Sequence, residues 1–94
     1  RIRTISDKDS LTIRINGPMD LLLTSSLRES YVDAGRAYRH YVVDFQEVSI
    51  VRDSGLALLL MLNRWTSLAG ARLYVINGSS EPMCRCHLLG IQTV

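Results

Sequence analysis

An apolar strand and an apolar helix meet in this chain across one short polar stretch, and that junction limits the fold more than any other feature. Tyr41-Val42-Val43-Asp44-Phe45 is a dense β-branched and aromatic run, the pattern of a central strand buried on both faces. Leu56-Ala57-Leu58-Leu59-Leu60-Met61-Leu62 is apolar nearly all round a helix. Such a helix packs on a sheet and on a second element, or offers a face to a partner or to a second copy of the chain. Between them lies Val48-Ser49-Ile50-Val51-Arg52-Asp53-Ser54-Gly55-Leu56. A polar turn at a strand-to-helix boundary presents backbone N–H groups to solvent. With the positive end of the helix dipole, those groups favour a carboxylate or a phosphate.

The chain around this junction has 94 residues, enough for one compact domain and too few for two. We expect a single domain over residues 1–94, cut short at its C-terminal end. A hydrophobic share of 47% with 21% charged residues excludes a disordered chain. The net charge of +2 is scattered. Its one local concentration, Arg36, Arg39 and His40, is too small for a nucleic-acid surface. Cys84 and Cys86 stand two apart, a poor spacing for a disulfide, and are read as reduced thiols. No CxxC or Cys/His set suggests zinc, and no cofactor is expected. The longest apolar run, residues 56–62, is far too short to cross a bilayer, and no signal-peptide pattern is present, so no direct membrane insertion is expected.

Along the chain, residues 1–6 read as a short strand and Asp7-Lys8-Asp9-Ser10 as a turn. Residues 11–16 alternate apolar and polar, a strand with one buried face that ends at Gly17-Pro18. A helix follows over residues 23–34, with Ser26 and Glu29 at capping-box spacing, Leu23, Leu27 and Tyr31 as its apolar stripe and Gly35 as its stop. After the strand at 41–45 comes a second helix over 54–68, then a turn at Ala69-Gly70-Ala71 and a strand over 72–76. Asn77-Gly78-Ser79-Ser80 caps a third helix, with Pro82 in its first turn, which ends at Gly90. Residues 91–94 begin a last strand. The order ββαβαβαβ predicts an α/β fold: a mostly parallel central sheet with an N-terminal hairpin and helices packed on it.

Four motifs in this order resemble a STAS domain, the family of bacterial anti-sigma factor antagonists and of sulfate-transporter tails. The family pattern is a strand ending V-x-D-L, a loop S-G-V-x-F-I-D-S-S-G-L and an apolar helix. Val42-Val43-Asp44-Phe45 and the stretch from Gln46 to Leu56 are similar to it, with no gap from Asp44 to Gly55. Gly17-Pro18-Met19-Asp20 resembles the family's G-x-L-D, Gly70-Ala71-Arg72-Leu73 its G-x-x-L, and Leu88-Leu89-Gly90-Ile91 its closing motif. The resemblance implies a cytoplasmic regulatory module in a partner-switching cycle. A serine kinase that is also an anti-sigma factor would phosphorylate a serine two residues before the glycine. The unphosphorylated module would bind that kinase and release sigma, and a metal-dependent phosphatase would reset it. The module is then a substrate and a binding partner, not an enzyme.

Two residues before Gly55 stands Asp53, not serine, and the family's aspartate position holds Arg52. Three readings of Asp53 are open. It caps the second helix; it is a fixed, partial mimic of phosphoserine, which carries about −1.5 to −2 charge and three acceptor oxygens; or the register slips by one and Ser54 is the acceptor. Arg52 is a solvated loop residue or pairs with Asp53, Asp20 or a partner's carboxylate. The expected partner-binding set is Asp20, Arg52, Asp53, Ser54, Gly55 and Leu56. Trp65, Met61 and Tyr74 are expected in the core, and His40 and His87 at the surface outside any metal or triad constellation. A nucleophile elbow and a Walker loop are both absent from the sequence. The alternative function is a subunit or tail of a membrane transporter of the lipid or sulfate/anion type.

Overall fold

The structure, a computed structural model, describes residues 1–32 and 38–94. Strands β1 (Ile2–Ser6) and β2 (Ser10–Met19) form the hairpin, closed by a hydrogen bond from the Asp7 N–H to the Ser10 carbonyl (2.8 Å). A short 3₁₀ turn, Leu21–Leu23, leads into α1 (Thr24–Val32). Then follow β3 (His40–Val51), α2 (Asp53–Leu68), β4 (Arg72–Ile76) and α3 (Ser80–Leu88). The four-stranded sheet has the order β1-β2-β3-β4; β1 and β2 are antiparallel and the other two pairs parallel. This is the α/β architecture expected, with its last strand reduced to one parallel bridge between Val75 and Thr93.

The pleat sorts the strand residues onto two faces. Leu11, Tyr41 and Leu73 lie in one row, and Ile13, Val43 and Val75 in the next, all buried. They join Leu23, Leu27 and Tyr31 of the first helical segment and Leu56, Leu59 and Leu62 of α2 in a single core. The Trp65 ring closes it edge-on against Tyr31 and Tyr41, at centroid distances of 5.0 and 5.5 Å. The opposite face carries Thr12, Val42 and Tyr74, which are half-buried. The far face of β3 is covered less evenly than the core face: Val42 is half-buried there, whereas Asp44 is buried. Met61, expected in the core, is exposed on the outer side of α2. His40 is half-buried and tilts against Tyr74, while His87 is exposed. Both cysteines are free; burial pushes the Cys86 thiol up, so it stays protonated.

Two boundaries differ from the sequence reading for a shared reason. β2 does not end at Gly17-Pro18 but runs on to Met19, through register shifts that absorb the proline and a Gly17 at φ 94°. With a partner strand that long, β3 continues to Val51, and the expected polar turn shrinks to Arg52. The start of the first helical segment also differs. Asp20 caps it by accepting the Leu22 N–H at 3.0 Å, and Ser26 lies inside α1 instead of at its cap. The expected end of that helix at Ala34 and Gly35, like Arg36, falls outside the described residues.

One buried carboxylate organises the far side of β3. Asp44 is 3% exposed. Its Oδ2 accepts from Arg14 Nε (3.2 Å), and its Oδ1 from Asn77 Nδ2 (3.0 Å) and the Gln46 N–H (2.9 Å). Burial disfavours the charge, but these hydrogen bonds and the Arg14 cation outweigh it and hold the carboxyl below its ordinary pKa. Asn77 sits at φ 60°, a conformation asparagine tolerates better than most side chains.

A Cβ on Gly55 would sit on the Met19 carbonyl carbon and oxygen, so Gly55→Ala is expected to lose about 2 kcal/mol or more in urea denaturation; a change under about 0.5 kcal/mol would contradict it. Because the folded pKa of Asp44 is depressed, its contribution is present above the unfolded value of about 3.9 and is lost as pH falls through the folded value. Asp44→Asn should cost about 2 kcal/mol near neutral pH and progressively less in acid; an equal deficit at about pH 3 and about pH 7 would refute the assignment.

Candidate functional site

The strand-to-helix junction is laced from three sides. Arg52, in extended conformation (φ −91°, ψ 165°), occupies the N-cap position of α2. It donates its N–H to the Met19 carbonyl (3.0 Å), and its own carbonyl accepts from the Leu56 N–H (3.1 Å). The end of β2 thus holds the start of α2, and Gly55 allows the approach. Gly55 and Leu56 are buried, so their part is to seat the helix and not to touch a partner.

On one side, Ser54 is half-buried and its Oγ accepts the Leu21 N–H at 3.0 Å. Asp20, also half-buried, turns its carboxylate to the Leu22 N–H. These two contacts fasten the 3₁₀ turn beside α2. On the other side, Asp53 is the first residue of α2, and its carboxylate accepts from Arg85 Nη2 at 2.6 Å. Arg85 reaches from α3, where it also donates to the Val51 carbonyl (2.9 Å) and to Glu81 (3.2 Å).

The capping reading of Asp53 is corrected by this arrangement. The strand ends later than expected, so the cap position falls to Arg52, and no side-chain cap bond is made. Asp53 instead places a negative charge in the first turn, where the helix dipole favours it. Its side chain is fully exposed, 100%, despite the ion pair. Arg52 is exposed and, among the described residues, belongs to no ion pair, so the pairing proposed for it with Asp53 or Asp20 does not form. Asp20 and Asp53 flank the junction on opposite sides without bonding each other.

Sequence reasoning missed Arg85. Its i,i+4 spacing to Glu81 was legible on a helix, but its reach to Asp53, 32 residues away, depends on where α3 lands. It also missed a groove of about 240 Å³ beside the junction, lined by Phe45, Val48, Ile50, Val51 and Pro82 among others.

The segments that meet at the junction carry exposed apolar side chains. Leu21 and Leu22 are 66% and 90% exposed, Ile50 46% and Met61 58%. Exposed apolar side chains on a surface that also bears a fixed charge suit a docking surface better than an acid–base site. Among the described residues, no group of three or more His, Cys, Asp or Glu is placed to hold a metal ion. No helix among them is long and apolar enough to cross a membrane.

No protein-family model matches the chain. A STAS-domain containing protein of Pseudomonas aeruginosa (strain UCBPP-PA14) is 30% identical over 76 residues, which span 81% of this chain and 75% of the relative. The chain belongs to the STAS family. Solved STAS structures share its fold. A serine-to-glutamate variant of RsbS from Moorella thermoacetica superposes with a TM-score of 0.80 at 17% identity, over 100% of this chain and 86% of its own. The Bacillus cell fate determinant SpoIIAA in its phosphorylated form gives 0.78 at 18%, over 100% and 91%. A sulfate transporter family protein from Wolinella succinogenes gives 0.77 at 14%, over 92% and 70%.

Arg85 joins α3 to this junction through two acceptors, the Val51 carbonyl and the Asp53 carboxylate, whereas Asp53 contributes one. Arg85→Ala is therefore expected to speed amide hydrogen exchange in α3 more than Asp53→Asn does. Equal exchange in the two variants would show that Asp53 alone accounts for the link.

Proposed function

We propose that this STAS domain, a single unit over residues 1–94, is a regulatory module that binds a protein partner through the junction of β3 and α2. It acts as anti-sigma factor antagonists do in a partner-switching cycle. The partner is a serine kinase that doubles as an anti-sigma factor, with a metal-dependent phosphatase as the second enzyme of the cycle. One observation carries this reading: Asp53, at the position where the family pattern has its acceptor serine, is a fully exposed carboxylate in the first turn of α2.

The same geometry favours a fixed charge over a switched one. Ser54 is the weaker candidate acceptor, because it is half-buried and its Oγ is engaged by the Leu21 N–H. Asp53 supplies part of the charge of a phosphoserine permanently, with Arg85 holding it in place. A module locked in this way would favour the partner-released state. A transporter-subunit role is the second reading, favoured by the same fixed carboxylate, since a structural clamp has no need of a switched residue.

The test uses the cognate kinase, ATP and four proteins. Asp53→Ser should be phosphorylated, also when combined with Ser54→Ala, while the unmodified domain stays unlabelled. By calorimetry, Asp53→Ser should bind the kinase about tenfold more tightly than the unmodified domain, equivalent to ~1.4 kcal/mol. Labelling of the unmodified domain that disappears in Ser54→Ala would return the acceptor role to Ser54. Equal affinity of both proteins would leave Asp53 as a charge on a helix and nothing more.

A further inference from the structure

On the sheet face away from the core, register places Arg3, Arg14 and Asp44 in one row across β1, β2 and β3. Arg3 and Arg14 are direct cross-strand partners, so their Cβ atoms are about 5 Å apart, and like charges so placed repel. Asp44 does not relieve that repulsion. Its two oxygens are engaged by Arg14 Nε, Asn77 Nδ2 and the Gln46 N–H, so it neutralises one guanidinium only. Among the described residues, Arg3 takes part in no ion pair. The sheet thus holds an uncompensated cation beside an anchored one.

The two arginines open into a groove of about 510 Å³, whose walls are completed by Arg1, Ile2, Asn16 and Glu47. That volume lies within the range of small-molecule pockets and exceeds what a bare ion needs. Arg14 is held at Nε by a buried carboxylate while its side chain remains 34% exposed, so its guanidinium is oriented and still reachable. Two guanidiniums side by side match the planar or tetrahedral oxygens of a carboxylate, sulfate or phosphate, with charge-assisted hydrogen bonds. Glu47, the cross-strand partner of Asn16, is the one acid in the lining and bears no ion pair among the described residues. It opposes a polyanion and favours a ligand with a donor or cation at its far end.

We propose that this groove binds a small ligand through a single oxyanion group clasped by Arg3 and Arg14. The site lies on a different face of the sheet from the core and its helices, and it does not depend on the docking role of Asp53. The ligand's anion removes the Arg3–Arg14 repulsion, and its other end meets Asn16 and Glu47.

The test is a titration of the full chain with inorganic phosphate, and separately with acetate, in low-salt buffer, followed by the ¹⁵N resonances of backbone and arginine side chains. Saturable shifts at Arg3, Arg14 and Asn16 are expected, and Arg3→Gln should weaken binding about tenfold. Arg72→Gln, outside the groove, should leave the affinity unchanged. Arg14 is left in place, because its removal would strand Asp44. Saturation by phosphate, by acetate or by both assigns the oxyanion class. Absence of saturation up to about 20 mM of either anion, or an equal loss in Arg3→Gln and Arg72→Gln, would overturn the proposal.

Discussion

The close seating of Gly55 on the Met19 carbonyl determines where α2 begins, and the junction is built outward from it. The same carbonyl accepts the Arg52 N–H, so the last residue of β2 both stops β3 and starts the helix. Because β2 persists through Gly17-Pro18, β3 keeps a partner to Val51 and no slack remains in the connection. A one-residue link of this kind sets the rotation of the helix as well as its position. Asp53 and Ser54 then point to opposite sides of the junction, one towards Arg85 and the other towards the 3₁₀ turn. A looser loop would let either residue adopt the other's surroundings, and no difference in role could be read from geometry.

That rotation also decides how the Asp53 charge is handled. A carboxylate in the first turn of a helix is favoured by the dipole without burial. The Arg85 pair adds direction more than stability, since exposed ion pairs contribute little. What Arg85 supplies is a link: through Val51 and Asp53 it fixes α3 beside the end of β3. The exposed leucines of the 3₁₀ turn lie on the Ser54 side, across the helix start from the Asp53 charge.

Much of this was legible in the sequence because it rests on local signals. The stripe of Leu23, Leu27 and Tyr31, the β4 run at 72–76 and the gapless Asp44-to-Gly55 spacing all placed their elements correctly. The failures occurred where a distant segment decides a local outcome. Gly17-Pro18 is a breaker by composition, yet a strand with a neighbour can bulge around a proline and continue. Ser26 and Glu29 have the right spacing for a cap, but Asp20 lies upstream where the chain leaves β2 and takes that place first. The helix α2 was read as apolar all round, and the structure divides it: Leu59 and Leu62 are buried, Leu60 and Met61 exposed. Arg85 carried no mark, because nothing near it in sequence announces a partner 32 residues away.

The two faces of the sheet carry different chemistry for a structural reason. With the core on one face, the other must satisfy its central strand without helices to bury it. Asp44 does this by polar means, gathering donors from β2, from its own strand and from the turn after β4. The Asp44 carboxylate holds Arg14 at its Nε, and among the described residues Arg3 beside it has no ion-pair partner. The excess positive charge on the open face is thus a consequence of how β3 is stabilised. Asp53, at the end of that same strand, displays the opposite sign. One strand therefore carries a carboxylate just beyond its tip and a cationic row beside its middle, and each depends on the strand being held in register by β2.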